Sequence, residues 1–282
     1  FVGILAAFFA TILYVYIVNK NWTIKMPNGV PPTVAKSFAA LIPACLVLAV
    51  FLVIRTVFVF TPWGNIHDCI YNIIQMPLMH LGSGLIATLV AVFAIQILWF
   101  FGLHGASITQ PIRLPFMQMY LIANISAFSA GQPIVHYFTQ PFWSYVITLG
   151  GGGATMGLCI LLLRSKSAEL KTLGKLSIGP AIFNINEPII FGLPMVLNPL
   201  MMIPFIFVPV INSIIAYGLM AFHIVGKGII ETPWTTPAPL GAALGCMDFK
   251  AAIMVIGLII LDTVLYYPFF KLLEKQKRGK KK

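Results

Sequence analysis

The chain has 282 residues, of which 59% are hydrophobic and 9% charged, and its mean hydropathy is +0.95. These values lie far outside those of soluble globular proteins and predict a polytopic membrane protein. The net charge of +11 is concentrated in a few loops and the C-terminal tail, which fits the positive-inside bias of membrane topology better than a nucleic-acid groove. The four cysteines are scattered without a C-x-x-C pair, which supports neither a zinc site nor a disulfide framework.

The first two apolar segments are typical of spanning helices. Residues 1–18 form the first, and Lys20 and Lys25 follow it at once, so this end is expected to face the cytoplasm. A turn-rich loop precedes the second span, predicted over residues 38–60. Because the chain opens inside an apolar run, without Met or a charged segment before it, we expect an N-terminal portion to be missing.

Residues 66–81 alternate isoleucines with polar side chains at roughly helical spacing. This pattern predicts an amphipathic helix that lies along the membrane, since the segment is too short and too polar to cross. His67 and Asp68 could imitate a catalytic pair, but adjacent residues of a helix point in different directions. A polar interfacial face is therefore the favoured interpretation of these two residues.

Five further spans are predicted over residues 85–101, 115–129, 142–163, 200–222 and 251–270. Counting back from the basic tail, seven spans place nearly all the cations on the cytoplasmic side and leave Arg55, Lys227 and Lys250 outside. The span over 142–163 is interrupted by a run of four glycines at 150–153. No Lys-Ser/Thr completes a phosphate loop there, so close helix packing is the better explanation.

Residues 177–194 are apolar, yet they contain Glu187 among asparagines, prolines and glycines. Pro188 disfavours the α conformation at Glu187, so we expect extended backbone there, with free groups for a ligand, inside a re-entrant hairpin. A carboxylate at bilayer depth is costly and by default marks a functional site. The alternatives are a Glu near the headgroups or a structural pair with an Arg.

A second re-entrant break is predicted over residues 106–114, directly after His104. His104 lies between nearby glycines that let the backbone approach a ligand, although a lone His in an apolar run is more often a structural donor. If both re-entrant segments enter the membrane from the cytoplasmic side, His104 and Glu187 would lie at the same depth in the bilayer. Residues 231–239, which contain Trp234, are too rich in proline to be helical. A structural partner is the favoured explanation for Asp262.

Four motifs carry a family resemblance. They are residues 25–32 (KMPNGVPP), 99–105 (WFFGLHG), 183–194 (FNINEPIIFGLP) and 231–237 (ETPWTTP). In this order they resemble the sugar-transporting IIC component of the bacterial phosphotransferase system, specifically its lactose/cellobiose/diacetylchitobiose family. The similarity covers nearly the whole chain, and the resemblance implies that the family's N-terminal spans precede these residues.

The resemblance implies roles for individual residues. Glu187 and His104 would be the catalytic residues, since they would meet the sugar hydroxyl that is phosphorylated. Arg113 is a candidate for stabilising the charge of the transferred phosphoryl group. The alternative is that Arg113 is one of the cations in cytoplasmic loops that set the membrane topology. The candidate sugar contacts are Asn186, Trp234, Trp99 and Asn184. For Trp99, an interfacial aromatic belt explains the residue equally well.

The predicted fold class is an all-α polytopic membrane protein with about seven transmembrane helices, two re-entrant hairpins and one amphipathic interfacial helix. The predicted organisation is the end of an N-terminal dimerisation half (1–60), an amphipathic linker helix (61–82), a substrate-binding membrane domain (83–270) and a basic cytoplasmic tail (271–282). The resemblance implies a homodimer through the N-terminal half. It also implies a multi-pass protein of the bacterial cytoplasmic membrane, in contact with lipid and with a cytoplasmic C-terminus.

The function implied is transport of a β-linked disaccharide, such as cellobiose, diacetylchitobiose or lactose, coupled to phosphorylation of its 6-hydroxyl by a phosphocysteine IIB protein. No metal, cofactor or nucleic acid is expected. The chain has no phosphate-cradling loop and no carboxylate cluster for magnesium, so it cannot use ATP by itself. An ion-coupled sugar symporter without phosphorylation is the alternative. A membrane-embedded hydrolase would need a nucleophile or metal cluster, and the spacing of His, Asp and Glu provides neither.

Overall fold

The computed structural model describes residues 2–27, 29–70, 84–193 and 195–279. It divides into two compact units, Phe1–His80 and Leu81–Lys282. The described residues are mostly helical and contain no strand, which confirms the all-α prediction. An apolar chain in a bilayer favours helices, because a helix pairs its own backbone N–H and C=O groups where no water is present to bond to them.

The described residues of the first unit form three helices, α1 (Val2–Asn19), α2 (Pro32–Val59) and α3 (Ile66–Ile70). Helix α2 begins with Pro32 in its first turn, where the missing N–H costs no hydrogen bond. It has the length and composition to cross a membrane. The predicted amphipathic helix is seen only as α3, because the rest of residues 66–81 lies outside the described residues.

The second unit contains nine helices in the described residues, one of them continued by the π-helical segment Trp143–Ile147. They are α4 (Leu85–Phe100), α5 (Gly105–Ser129), α6 (Gln140–Phe142), α7 (Met156–Leu163), α8 (Ala168–Ile182), α9 (Glu187–Gly192), α10 (Pro199–Ala221), α11 (Ala238–Cys246) and α12 (Phe249–Gly279). Helices α10 and α12 are also long and apolar enough to span. The count of seven spans stays a prediction.

Glycines allow the helices of the core to pack closely. A Cβ at Gly157 of α7 would overlap the backbone of α12 at Asp262 and Thr263. Likewise, a Cβ at Gly174 of α8 would overlap the backbone of α7. Small residues at such contacts let two helix backbones approach each other, as is common in membrane bundles. Helix α7 is therefore held tightly between α8 and α12.

Two predicted boundaries are wrong. Residues 106–114 do not break the fold, because α5 runs without interruption from Gly105 to Ser129 through Pro111 and Pro115. Membrane helices tolerate internal proline where the freed backbone groups find other partners. The predicted span 142–163 is instead divided between the π-helical segment and α7, with non-helical backbone at the glycine run.

We expect the topology predicted from charge to be testable at two exposed lysines of this unit. A single cysteine at Lys171 should react only with a reagent applied from the cytoplasmic face, and one at Lys250 only from outside. Both side chains are exposed, whereas Lys227 is buried and unsuitable for labelling. The measurement is maleimide labelling in oriented vesicles. Labelling of the Lys171 position from outside would overturn the seven-span count.

Candidate functional site

A cavity of about 400 Å³, lined by polar and aromatic side chains, lies within the second unit. It is lined by the seven residues that the sequence singled out as site candidates: Trp99, His104, Arg113, Asn184, Asn186, Glu187 and Trp234. These residues come from four separate parts of the chain, which the fold brings together around one space. Their individual roles stay predictions, and the geometry below bears on each of them.

Three non-helical segments, residues 148–155, 183–186 and 231–237, form much of the cavity wall. Asn184 links all three. Its Oδ1 accepts a hydrogen bond from the Gly150 N–H at 3.1 Å, and its Nδ2 donates to the carbonyls of Trp234 at 2.8 Å and Thr236 at 3.1 Å. Asn184 has a φ of 62°, in the left-handed region that Asn tolerates better than most residues. The Asn184 amide therefore holds these three segments of the cavity wall together.

Asn186 makes a second link between two of these segments, residues 183–186 and 148–155. Its Nδ2 donates to the Gly152 carbonyl at 2.6 Å and to Thr155 Oγ1 at 2.7 Å. The side chain is only 3% exposed, although it lines the cavity. The two asparagines predicted as sugar contacts thus direct their amide donors to the protein. Both hold the cavity in shape, because buried amide groups need such partners.

Glu187 is the first residue of α9, with Pro188 after it in the first helical turn. The expectation of extended backbone at Glu187 is wrong, because the bias before proline is overcome at this helix start, where proline's missing N–H is no loss. The non-helical residues are instead those just before it. The Glu187 side chain is exposed and lines the cavity, and it makes no hydrogen bond or ion pair within the described residues. The alternative of a structural pair with an Arg does not fit.

His104 precedes α5, and its Nδ1 accepts a hydrogen bond from the Ser107 backbone N–H at 3.1 Å. A neutral imidazole that accepts at Nδ1 carries its proton on Nε2, so His104 can donate from Nε2 to a ligand oxygen. The ring packs against Trp99, with 4.2 Å between ring centroids. Trp99 itself is 7% exposed, so an interfacial aromatic belt does not explain it. It supports the His104 ring from the core.

Arg113 is half-buried on α5 and also lines the cavity. Its guanidinium carbon lies 3.7 Å from the centroid of the Trp143 ring, and this stacking fixes the plane of the cation. No carboxylate in the described residues pairs with it. A cation that serves only to orient a cytoplasmic loop would be free in water. The Arg113 guanidinium is instead held at the cavity wall, which does not fit that alternative.

Sequence reasoning missed Trp143 and Tyr145, both of which come from the π-helical segment. The Tyr145 hydroxyl contacts Thr232 Oγ1 at 2.5 Å and donates to the Pro233 carbonyl at 2.9 Å, which fixes the backbone beside Trp234. No sequence signal marked these aromatic residues, because they lie in an apolar stretch that looks like an uninterrupted span. Trp234 itself is 55% exposed and presents a free indole face.

Gly151 provides a local test of the cavity wall. It has a φ of 104°, and a Cβ added there would overlap the Asn186 side chain. We expect Gly151→Ala to lower the affinity for the sugar that the family resemblance implies by at least about tenfold, because the positive φ and the overlap together displace Asn186. Calorimetric sugar binding to purified protein is the measurement.

Gly131→Ala is the matched control for that substitution. Gly131 also has a positive φ, of 66°, but its Cβ would meet nothing within 4 Å. It should cost about 1–2 kcal/mol of stability through backbone strain alone and leave sugar affinity unchanged. Equal losses of affinity in the two variants would show that backbone strain, and not the contact with Asn186, causes the loss.

A helical membrane protein whose cavity is walled by broken helices has the architecture of membrane transporters. Residues 1–209 match the family model described as "Phosphotransferase system, EIIC". The chain belongs to this family, which confirms the resemblance carried by the four motifs.

Similarity to individual proteins agrees with this family assignment. The chain is 42% identical to the oligo-beta-mannoside-specific EIIC component of Bacillus subtilis (strain 168), over 100% of this chain and 64% of that protein. It is 39% identical to the cellobiose-specific EIIC component of Geobacillus stearothermophilus, over 98% of this chain and 62% of that one. The crystal structure of ChbC, the IIC component of an N,N'-diacetylchitobiose-specific phosphotransferase system, matches with a TM-score of 0.85 and 39% identity, over 100% and 66%. The chain thus spans less than two thirds of these relatives.

Proposed function

We propose that this protein carries a β-linked disaccharide across the bacterial cytoplasmic membrane while a phosphorylated IIB protein phosphorylates the sugar's 6-hydroxyl. Relatives named for cellobiose, oligo-beta-mannosides and diacetylchitobiose support this class of substrate. The observation that carries the proposal is the meeting of Glu187, His104 and Arg113 at one cavity. Its volume of about 400 Å³ lies in the usual range for small-molecule sites.

Glu187 is the base of the proposed reaction. To catalyse phosphoryl transfer, a protein mainly holds the reacting atoms in line, stabilises the developing charge and provides a group that takes the alcohol proton. The sugar O6 attacks the phosphorus on the IIB cysteine, a new O–P bond forms, and the S–P bond breaks to release the thiolate. The O6 proton passes to Glu187, whose carboxylate has no other partner in the described residues.

His104 holds the attacking hydroxyl in this mechanism. Because Nδ1 is occupied by the Ser107 N–H, the Nε2–H is the group left to donate to O6. A donated hydrogen bond fixes the oxygen and leaves the hydroxyl proton directed at Glu187. The two residues thus have complementary tasks, one of orientation and one of proton removal.

Arg113 stabilises the charge of the phosphoryl group during transfer. A planar guanidinium presents several donors to phosphate oxygens, and its stacking on Trp143 means that little freedom is lost when it binds. No protein carboxylate in the described residues competes for it. Trp234 offers its exposed face to a sugar ring, while Trp99, Asn184 and Asn186 keep the surrounding groups in place.

The complete protein is proposed to work as a homodimer through its N-terminal half, as a multi-pass protein with a cytoplasmic C-terminus. In this orientation a cytosolic IIB protein can reach the sugar from inside. The concentration of cations in the loops predicted to be cytoplasmic supports the orientation.

The experiment that tests the function is uptake of labelled cellobiose, diacetylchitobiose and lactose by proteoliposomes. With phosphorylated IIB inside, at least one of the three disaccharides should be recovered as its 6-phosphate, and without IIB little uptake should occur. Accumulation of unmodified sugar driven by a proton or sodium gradient would contradict the proposal and favour the ion-coupled symporter.

A further inference from the structure

One end of the second unit carries a dense group of cations, named here the basic face. Its members lie around the end of α7, along α8 and at the end of α12, and they are Arg164, Lys166, Lys171, Lys175, Lys271, Lys275 and Lys277. All are exposed except Lys277, which is half-buried. None of them lines the cavity described above.

Two carboxylates tie the basic face together. Glu274 of α12 is 4% exposed, and its Oε1 accepts from Ser165 Oγ at 2.7 Å and from the Lys166 N–H at 2.6 Å. Its Oε2 pairs with Lys271 at 3.2 Å. Glu169 of α8 pairs with Lys277 at 2.6 Å. These contacts fasten the last turns of α12 to α7 and α8, so the cations belong to one continuous surface.

The basic face carries an excess of positive charge. Glu169 and Glu274 are the carboxylates that pair with it in the described residues, and each has its own lysine partner. Five cations remain without a described ion pair, namely Arg164, Lys166, Lys171, Lys175 and Lys275. Several like charges held on one fixed surface attract anions more strongly than a single flexible lysine does.

The position of these cations relative to apolar residues indicates the kind of anion. Arg164 directly follows the apolar helix α7, and Lys271 follows the apolar part of α12 with its Nζ 5.5 Å from the Tyr267 ring centroid. Leu176 and Leu272 are exposed between the cations, at 68% and 53%. Cations that border the end of an apolar helix lie at headgroup depth, with their stems along the hydrocarbon.

We propose that the basic face binds the headgroups of anionic phospholipids in the surrounding bilayer. The exposed leucines suit the glycerol and upper acyl region of a lipid better than the watery surface of an acidic protein. Clusters of four to eight Lys or Arg next to a spanning helix are the usual form of such a surface. Lipid binding at the basic face requires neither the sugar nor its phosphorylation.

The test uses the complete protein in nanodiscs of phosphatidylcholine containing a minority of phosphatidylglycerol. The variant Lys171→Gln/Lys175→Gln/Lys275→Gln removes three cations that make no described ion pair, so it leaves the contacts of Glu169 and Glu274 intact. Native mass spectrometry measures how many phosphatidylglycerol molecules stay bound. Thermal unfolding in both lipid mixtures reports whether the variant is folded.

The wild type should retain phosphatidylglycerol in preference to phosphatidylcholine, and the triple variant should retain it at least about tenfold more weakly. Lys250→Gln is the matched control, because this exposed lysine lies in the first turn of the same helix α12 and far along the helix from the basic face. It should retain the lipid like the wild type. Equal retention by the triple variant overturns the proposal. Unchanged lipid retention with lost binding of an acidic IIB protein would assign the face to that protein.

Discussion

Glu187→Gln is expected to abolish phosphoryl transfer to the sugar, with a loss of about 10²–10⁴-fold in rate, while sugar affinity stays within about threefold. The amide keeps the shape and the hydrogen-bonding capacity of the side chain but cannot accept the hydroxyl proton. The expectation follows from the position of Glu187 at the cavity, where its carboxylate has no partner in the described residues. Rates of IIB-dependent phosphorylation and equilibrium sugar binding are the two measurements.

Glu169→Gln is the control for the loss of a carboxylate. The Glu169 side chain is 60% exposed, pairs only with Lys277 among the described residues and lies outside the cavity. It should leave the rate of phosphorylation unchanged. Normal phosphorylation by Glu187→Gln would show that Glu187 is not the base.

The second large effect is expected from the pair His104 and Glu187. If both act on one hydroxyl, the double variant His104→Ala/Glu187→Gln should be only slightly slower than the worse single variant, since residues that act as a unit are strongly non-additive. His104→Ala should also weaken sugar binding by about 0.5–1.5 kcal/mol, the value of one hydrogen bond to the hydroxyl. A double-mutant cycle on the phosphorylation rate measures the coupling.

His104→Ala has a second effect that a further variant separates. The alanine also removes the Nδ1 acceptor of the Ser107 N–H at the start of α5. His104→Asn can keep that cap, because asparagine is a preferred residue there, but it lacks an Nε2–H that reaches the sugar. If His104→Asn behaves like the wild type and the cycle is additive, His104 is a structural histidine. The pair Glu187→Gln and Glu169→Gln should be additive.

The residues of the candidate site were predictable from sequence where their chemistry departs from that of their neighbours. Glu187, His104 and Arg113 are ionisable groups in an apolar chain, and Trp234 lies in a proline-rich segment, so each departs from the pattern of a spanning helix. All line the cavity. Their meeting at one cavity was harder to predict, because it depends on where the helices break.

The breaks themselves were only partly predictable, since proline and glycine are ambiguous signals in membrane helices. Pro111 and Pro115 indicated a break, yet α5 continues through both. Gly150, Gly151 and Gly153 indicated helix packing, yet their positive φ angles form a turn against the two asparagines. These outcomes depend on tertiary hydrogen bonds, which sequence spacing does not reveal.

The hydrogen-bond partners of Asn184 and Asn186 could not be predicted from the motif alone. An asparagine beside a candidate catalytic carboxylate suggests a sugar contact, but in the structure both amides bond to backbone partners in distant segments. These backbone partners are 34 to 52 residues away along the chain, and the Thr155 hydroxyl that also bonds to Asn186 is 31 residues away. A role in shaping the cavity therefore requires knowledge of the fold.

The proposed function requires that the disaccharide is phosphorylated on O6 while it occupies the cavity. A single-turnover experiment tests it most directly, with labelled phospho-IIB added to purified protein that is saturated with disaccharide. We expect labelled sugar 6-phosphate to form at a rate that Glu187→Gln abolishes, although this variant still binds the sugar. Transfer that proceeds equally in wild type and Glu187→Gln, or no transfer to bound sugar at all, would contradict the account.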